Sequence, residues 1–269
     1  MTDSDQITPR DAWRVNAGSG RLQTETLAVE APLQIILNEK PFSVTMRTPG
    51  NDDSLVRGWL FSEGIVRPDG KVEVIEFAEV EGFDLARVSI PELYLCEAAV
   101  QNQAQLTHAA CGYCGKKSFE GLPDSAIDRP QEYLDWTYFQ TLEKKMRLAQ
   151  AAFTASGGIH AAAAFNRQGD LLCLFEDIGR HNAVDKVIGH LLLMNQLEAA
   201  CVLQVSGRLS FEIINKAIRA GIFYVSAISA PSSLAVDAAR ASCRTLVAFN
   251  REDRFTIYSH PEFINFEKK

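Results

Sequence analysis

The sequence predicts an α/β protein in two unequal parts, a β-rich first part and a larger second part of alternating strands and helices. Three observations carry this. After residue 158, short apolar runs ("CVLQV", "IFYVSAI", "TLVAF") alternate with stretches of helical period ("NAVDKVIGHLLLM", "SFEIINKAIRAG", "SSLAVDAARAS"), the pattern of a mainly parallel sheet covered on both faces. Before residue 107, runs of alternating polarity come in pairs around turn residues, as in hairpins. Between the two parts lies a polar, glycine-containing stretch without a period. The 269 residues, 46% hydrophobic and 23% charged, suffice for a sizeable core and about two domains.

Taken in order, residues 1–23 show no period and are expected to form a flexible arm. A β-rich domain follows over residues 24–106. In it "PLQIILN" and "FSVTMRT" pair across a turn from Asn38 to Pro41, and "VEVIEFAEV" pairs with "DLARVSI". Between the pairs, "DDSLVRGWLFSEG" reads as a helix started by Asp52 or Asp53 and stopped near Gly64. Residues 107–135 read as a mobile loop, and residues 136–269 as the second domain. That domain opens with a helix in which Phe139, Leu142, Met146, Ala149 and Phe153 recur at helical spacing. Thr137 with Gln140 resembles a capping box, and "SGG" stops the helix. "IHAAAAF" and "LLCLFE" form a hairpin across "NRQGD"; the next helix is capped by Asn182, and Gly221 terminates the one after it. "TLVAF" and "FTIYS" close the chain.

Composition narrows the function. No apolar run approaches a membrane span, and the first residues are polar and mixed in charge, unlike a signal peptide, so a cytoplasmic location is expected. A net charge of −7 speaks against a broad nucleic-acid-binding surface. Six cysteines in a chain of this length form no disulfide framework. Cys96, Cys173, Cys201 and Cys243 stand singly among apolar neighbours and read as small core residues.

Each strand of the second domain runs into a polar turn: "EDIGRHN", "SGRLS", "SAPSS" and "NREDR". Ligands of open sheets bind beyond the carboxyl ends of parallel strands, where helix N-termini hold anions. Arg180, Arg208, Arg251 and Arg254 would meet phosphates along that rim. Each turn alone reads as helix capping; the four together suggest a site. Neither the GxxxxGK[ST] phosphate loop nor GxGxxG is present.

The stretch "THAACGYCGKKSFE" carries the remaining pair, Cys111 and Cys114. A structural zinc ion needs four ligands and no second pair exists, although His108 and His160 would complete a mixed site. A thioredoxin-type pair would sit where a strand runs into a helix, and no periodic helix follows. A glycine-bordered mobile segment suits a carrier that must visit a donor and an acceptor, with Lys116 and Lys117 favouring the thiolate. Residue chemistry alone leaves sulfur transfer and redox exchange both open.

The strings "CGYCG", "GGIHAAA", "EDIGRHNAVDKVIG", "SGRLSFEIINKAIRAGI", "SAPSSLAVD", "VTMRTPGNDD" and "GWLFSEGI" resemble the formate dehydrogenase accessory sulfurtransferase (FdhD/NarQ) family, in the same order from about Pro32 to His260. The resemblance implies a protein that accepts sulfur from a cysteine desulfurase and passes it to molybdenum cofactor as bis-molybdopterin guanine dinucleotide, before insertion into formate dehydrogenase. It implies further a cytidine-deaminase-like, three-layer α/β/α second half and a homodimer. Cys111 matches the persulfide-bearing cysteine and Cys114 its companion. Phe249, Asn250, Arg251, Glu252, Asp253 and Arg254 occupy the cofactor-binding stretch. Arg180, His181, Arg208, Ser210, Ser232 and Ser233, all placed after strands, are expected to line the same pocket, and no structural metal is expected.

Two rival functions are weighed against this. Zinc deaminases need H-x-E before P-C-x-x-C. Here His160 is followed by Ala161 and Ala162, and the cysteine pair precedes it, so deaminase chemistry is not expected and His160 reads as packed inside or hydrogen-bonded near the ligand. A chaperone that only shelters the cofactor would keep the arginine rim and tolerate loss of both cysteines.

Overall fold

The computed structural model describes residues 6–67, 70, 72, 74–96, 130, 133–252 and 254–266. The expected arm over residues 1–23 is instead largely regular: β1 (Ile7–Asn16) pairs antiparallel with β2 (Ser19–Ala28). The turn between them holds Ala17 and Gly18 at φ 48° and 83°, both in the left-handed region, as the twist of a tight hairpin requires. Two features hid it in the sequence. Alanine is not a usual turn residue at positive φ, and the apolar residues Trp13, Val15 and Leu22 remain exposed, so no face alternates clearly.

The rest of the first part follows the expected pairing. β3 (Ala31–Leu37) and β4 (Lys40–Arg47) form one hairpin, β5 (Val74–Val80) and β6 (Phe83–Ser89) another. They merge through a parallel β3–β6 contact into a sheet of order β4-β3-β6-β5. Asn38 and Glu39 make the first turn at φ 47° and 65°. Helix α1 (Asp52–Ser62) buries Leu55, Val56 and Leu60 against Leu33, Ile35, Ala86 and Val88 of the sheet.

The single helix expected from the Thr137 cap to the "SGG" stop is three short pieces: α2 (Thr137–Gln140), α3 (Leu142–Ala149) and α4 (Ala151–Ser156). The break at Gln150 (φ −86°, ψ 84°) is stabilised from outside the segment. The carboxylate of Glu176 accepts the N–H groups of Ala152 and Phe153 at 2.8 and 2.7 Å, supplying a cap for a new helix start. No capping box forms, since the Thr137 hydroxyl donates to Asp135. Gly157 ends α4 at φ 67°, as expected from "SGG".

The second part is built on a six-stranded sheet of order β13-β12-β11-β10-β8-β9. Its strands are β8 (His160–Phe165), β9 (Leu171–Asp177), β10 (Val202–Val205), β11 (Tyr224–Ala227), β12 (Thr245–Arg251) and β13 (Arg254–Ser259). β10, β11 and β12 are parallel neighbours, and β9 runs with them; β8 and β13 oppose them. The sheet is therefore mixed where a mainly parallel one was expected. The reason is covalent: β8–β9 and β12–β13 are hairpins, and a tight turn permits only antiparallel pairing. A small parallel pair, β7 (Leu134–Asp135) with β14 (Ile264–Asn265), lies outside this sheet.

Period-two alternation divides the sheet between two cores. Ala162, Ala164, Leu203, Val205, Val225, Leu246 and Ala248 face α5 (Arg180–Leu193), α6 (Phe211–Arg219) and α7 (Ser233–Ala241). Ala161, Ala163, Val202, Tyr224 and Val247 face Phe139, Leu142 and Met146 of α2 and α3. The α/β class and helices on both faces are thus observed. Helix α5 begins at Arg180 with Gly179 as its cap, three residues before the expected cap Asn182, whose side-chain amide is used elsewhere. Among the described residues no helix is long and apolar enough to cross a membrane.

The two parts meet where α1 packs on α5. At Gly58 an added Cβ would lie 1.8 Å from the carbonyl oxygen of Asp185, and at Gly189 1.8 Å from that of Ser54. The helices touch backbone to backbone. Beside this contact Lys216, almost fully buried, donates to Ser62, Glu63 and both oxygens of Asp185 at 2.8 to 3.0 Å. Burial alone would lower the lysine pKa; the adjoining carboxylates of Asp185 and Glu63 outweigh it and raise it, so the ammonium form persists there.

Candidate functional site

Because β9, β10, β11 and β12 run the same way, the four turns singled out in the sequence lie at one edge of the sheet. β8 runs against them, so its first residue, His160, stands at this edge opposite Asp177. Ser206 follows β10 beside it: Ser206 N–H donates to the carbonyl of Ala161, and Ala161 N–H to the Ser206 hydroxyl, both at 2.9 Å. A cleft of about 470 Å³ opens here, with Arg147, Phe153, Gly158, His160, Ser206 and Ile228 on its walls.

The motif "EDIGRHN" is turned mostly inward. Glu176 caps α4. Asp177, fully buried, accepts from Thr48 N–H at 3.1 Å, from Gly179 N–H at 2.8 Å and from the Asn182 amide at 3.1 Å, and pairs with the equally buried Lys186 at 2.8 Å. Lys186 in turn donates to the Thr48 carbonyl at 2.8 Å, and the Thr48 hydroxyl accepts Ile178 N–H at 3.1 Å. Asn182 donates to the Met46 carbonyl at 2.8 Å. These bonds tie "VTMRT" of the first part to the rim of the second. His181, buried, shares its Nε2 between the Ser210 hydroxyl at 3.0 Å and Glu212 at 2.9 Å.

The remaining sequence candidates divide. Arg180 lies close to His160 and Gly207, with its Nε buried and without a hydrogen-bond partner among the described residues; Arg208 is exposed nearby. Ser232 accepts Ala235 N–H at 3.2 Å as the cap of α7, and Ser233 is exposed in its first turn. On the β12–β13 hairpin Phe249, Arg251, Glu252 and Arg254 are exposed. Asn250 is fully buried and points into the protein, donating to the Phe139 carbonyl and the Ser226 hydroxyl at 3.0 Å each. Its alternation with Phe249 and Arg251 places it on the inner face, so an outward ligand contact by this side chain is not what the fold provides. Cys111, Cys114, His108, Lys116, Lys117 and Asp253 lie outside the described residues. Of the four cysteines expected in the core, Cys173 is buried, whereas Cys96, Cys201 and Cys243 are partly accessible.

The surroundings bias the charge state of His160. Burial, assisted by the cations Arg180 and Arg208 and opposed by Asp177, holds its imidazole below the ordinary histidine value. In a pH titration followed by NMR, its ring signals are expected to move at a midpoint below about 6.5, the free-imidazole value. A midpoint at or above that value would show that His160 is neither desolvated nor pressed by the arginines as the fold places it.

The fold is similar to that of a solved structure, a putative formate dehydrogenase accessory protein from Desulfotalea psychrophila, with TM-score 0.73, 24% identity and coverage of 97% of this chain and 100% of that one. At that identity the likeness speaks for the fold. The sequence decides more: residues 28–265 match the FdhD/NarQ family. The chain belongs to the FdhD/NarQ family. Curated relatives named sulfur carrier protein FdhD include those of Picrophilus torridus (42% identical, 90% of this chain, 92% of the relative), Mycobacterium tuberculosis (41%, 89% and 92%) and Streptomyces avermitilis (39%, 93% and 93%).

In this FdhD/NarQ chain the long strings "EDIGRHN" and "VTMRT" are one structural unit, joined through Asp177, Lys186 and Thr48. That pairing could not be seen in the sequence, since the partners are more than a hundred residues apart. The capping carboxylate of Glu176, 24 residues beyond Ala152, and the cleft wall of Arg147 and Phe153 were also missed.

Proposed function

We propose that the chain is a sulfur carrier in formate dehydrogenase maturation, with Cys111 as the persulfide-bearing residue. A cysteine desulfurase delivers sulfur to the Cys111 thiolate. The Cys114 thiolate then attacks the Cys111 sulfur, forming a disulfide and expelling hydrosulfide, which replaces an oxygen ligand of the molybdenum in bis-molybdopterin guanine dinucleotide; oxygen leaves as water, and a thiol reductant restores the pair. The cofactor is cargo here. The exposed arginines Arg208, Arg251 and Arg254 at the sheet edge suit its phosphates.

The observation that carries this reading is the family match across residues 28–265, a span that includes both cysteines. Cys173 and Cys201 support it by their unsuitability. Burial pushes the Cys173 thiol up to about 12 and the Cys201 thiol up to about 11, so neither supplies a thiolate at neutral pH.

Incubation with a cysteine desulfurase and cysteine, followed by intact mass measurement, is expected to show a gain of one sulfur atom that is absent in Cys111→Ala. No gain in the unaltered chain would overturn the carrier reading and leave a cofactor chaperone. One zinc ion per chain, held by the pair, would overturn it in favour of a structural site.

A further inference from the structure

We propose that the projecting β1–β2 hairpin is a docking arm, gripped in a groove of a partner protein that is apolar on one wall and lined with carboxylates on the other. The inference rests on the sulfur-carrier reading only for the identity of that partner.

The hairpin is a sheet of its own and meets the rest of the molecule mainly at α4. Every residue from Trp13 to Leu22 is exposed, so its outer half stands clear of the body. A two-stranded hairpin is marginally stable by itself in water, yet this one holds large apolar side chains where no described residue covers them. Trp13 faces Leu22 directly across the pair, and Val15 faces Gly20. Opposed residues share a face and alternate residues return to it, so these side chains form one patch. The indole lies across the bare backbone of β2: a Cβ at Gly20 would sit 3.4 Å from Trp13 Cε3 and 3.7 Å from Val15 Cγ2. Its other side is open, and Trp13, Val15 and Leu22 are 70%, 69% and 59% exposed. Single exposed apolar residues are ordinary; a contiguous cluster built on a tryptophan marks a contact surface.

The opposite face specifies the charge of the partner. Arg14 and Arg21 are directly opposed there, and like charges in that position repel. Glu25 answers the first, 3.2 Å from Arg14 Nε, and Arg14 still remains exposed. Arg21 forms no ion pair among the described residues. An acidic counter-surface relieves the repulsion. Because the arginines stand back to back with the apolar patch, one partner engages both only by closing around the hairpin. A membrane fits less well: a flat bilayer would take up the apolar face alone, and the net charge of −7 is repelled by anionic lipid.

The position of the arm names the partner. α4, on which the hairpin rests, carries Phe153 of the cleft wall. A protein gripping the arm is therefore held beside the sheet edge from which the cargo leaves, as the enzyme that receives it must be.

The test is the affinity of the full chain for cofactor-free formate dehydrogenase, measured by biolayer interferometry. The unaltered chain is expected to bind, and Trp13→Ser and Arg21→Glu are each expected to weaken binding about tenfold or more. Arg21→Glu separates docking from folding: a glutamate opposite Arg14 turns repulsion into attraction, so the thermal midpoint is expected to hold or rise while the affinity falls. Absence of binding by the unaltered chain, or an affinity unchanged in either variant, would overturn the proposal. So would binding to vesicles of phosphatidylglycerol and phosphatidylcholine that is lost in Trp13→Ser, which makes the arm a membrane contact, or self-association lost in the same variant, which places it between copies of this chain. The desulfurase mass measurement keeps the two readings apart: a sulfur gain with hairpin-independent binding sinks the arm alone, and hairpin-dependent binding without a sulfur gain sinks the carrier reading alone.

Discussion

Gly189→Ala and Gly58→Ala are each expected to destabilise the protein severely. In an exposed helix interior the change from glycine to alanine stabilises by roughly 1 kcal/mol. Here the sign reverses, because each new Cβ would fall 1.8 Å from a carbonyl oxygen of the facing helix. That oxygen belongs to rigid backbone and cannot rotate away. α1 and α5 must separate, which pulls Phe61 off the core around α5 and strips Lys216 and Asp185 of their enclosure. Overpacking costs about 1–3 kcal/mol in ordinary cores and more where backbone must move. Since about 1 kcal/mol shifts the midpoint of a domain this size by roughly 2–4 °C, a fall of about 10 °C or loss of soluble protein is expected in thermal unfolding. A midpoint equal to or above that of the unaltered chain would show that the helices do not meet in this way.

Lys186→Met is the second. Lys186 and Asp177 are both fully buried, 2.8 Å apart, and together hold Thr48. Removing one member of a buried pair leaves an uncompensated charge, at a cost of about 3–5 kcal/mol. The pH dependence gives the mechanism its signature. Burial pushes the Asp177 carboxyl up, and Lys186 is the main influence opposing it. Without the lysine, the folded-state value rises further above the unfolded one. A carboxyl with a raised folded value favours the folded state at low pH and disfavours it as pH climbs past the unfolded value of about 3.9. The variant is therefore expected to lose most stability at neutral pH and to recover relative to the unaltered chain as pH falls toward 4, in chemical denaturation at several pH values. Adding Asp177→Asn should recover part of the loss at pH 7. A penalty independent of pH, with no recovery in the double variant, would mean that packing alone is at stake.

Both sites explain why some of the molecule was legible in the sequence. Strands such as "CVLQV" and "TLVAF" and the helices ending at Gly221 or Gly64 were placed by local period and by glycines that reach positive φ. The collection of four turns on one edge followed from strand direction alone. The character of the turns did not. "EDIGRHN" has the composition of an anion-binding loop, yet Glu176, Asp177 and Asn182 face inward to α4, Thr48 and Met46, because their partners arrive from segments remote in the chain. Asn250 was misread in the same way: it lies among exposed residues in sequence, and strand alternation turns it into the core.

What the sequence by itself determined was the α/β class, most of the elements and the family, because periodicity, turn residues and motif spacing are local properties of a chain. Only the tertiary structure decided that the sheet is mixed, that the helix after Asp135 breaks at Gln150, that the two parts lock through facing glycines and buried ion pairs, and that a cleft opens between Phe153 and His160. Each of those depends on groups that become neighbours only when the chain has folded, and a side chain's worth as cap, tether or wall is fixed by the group it meets.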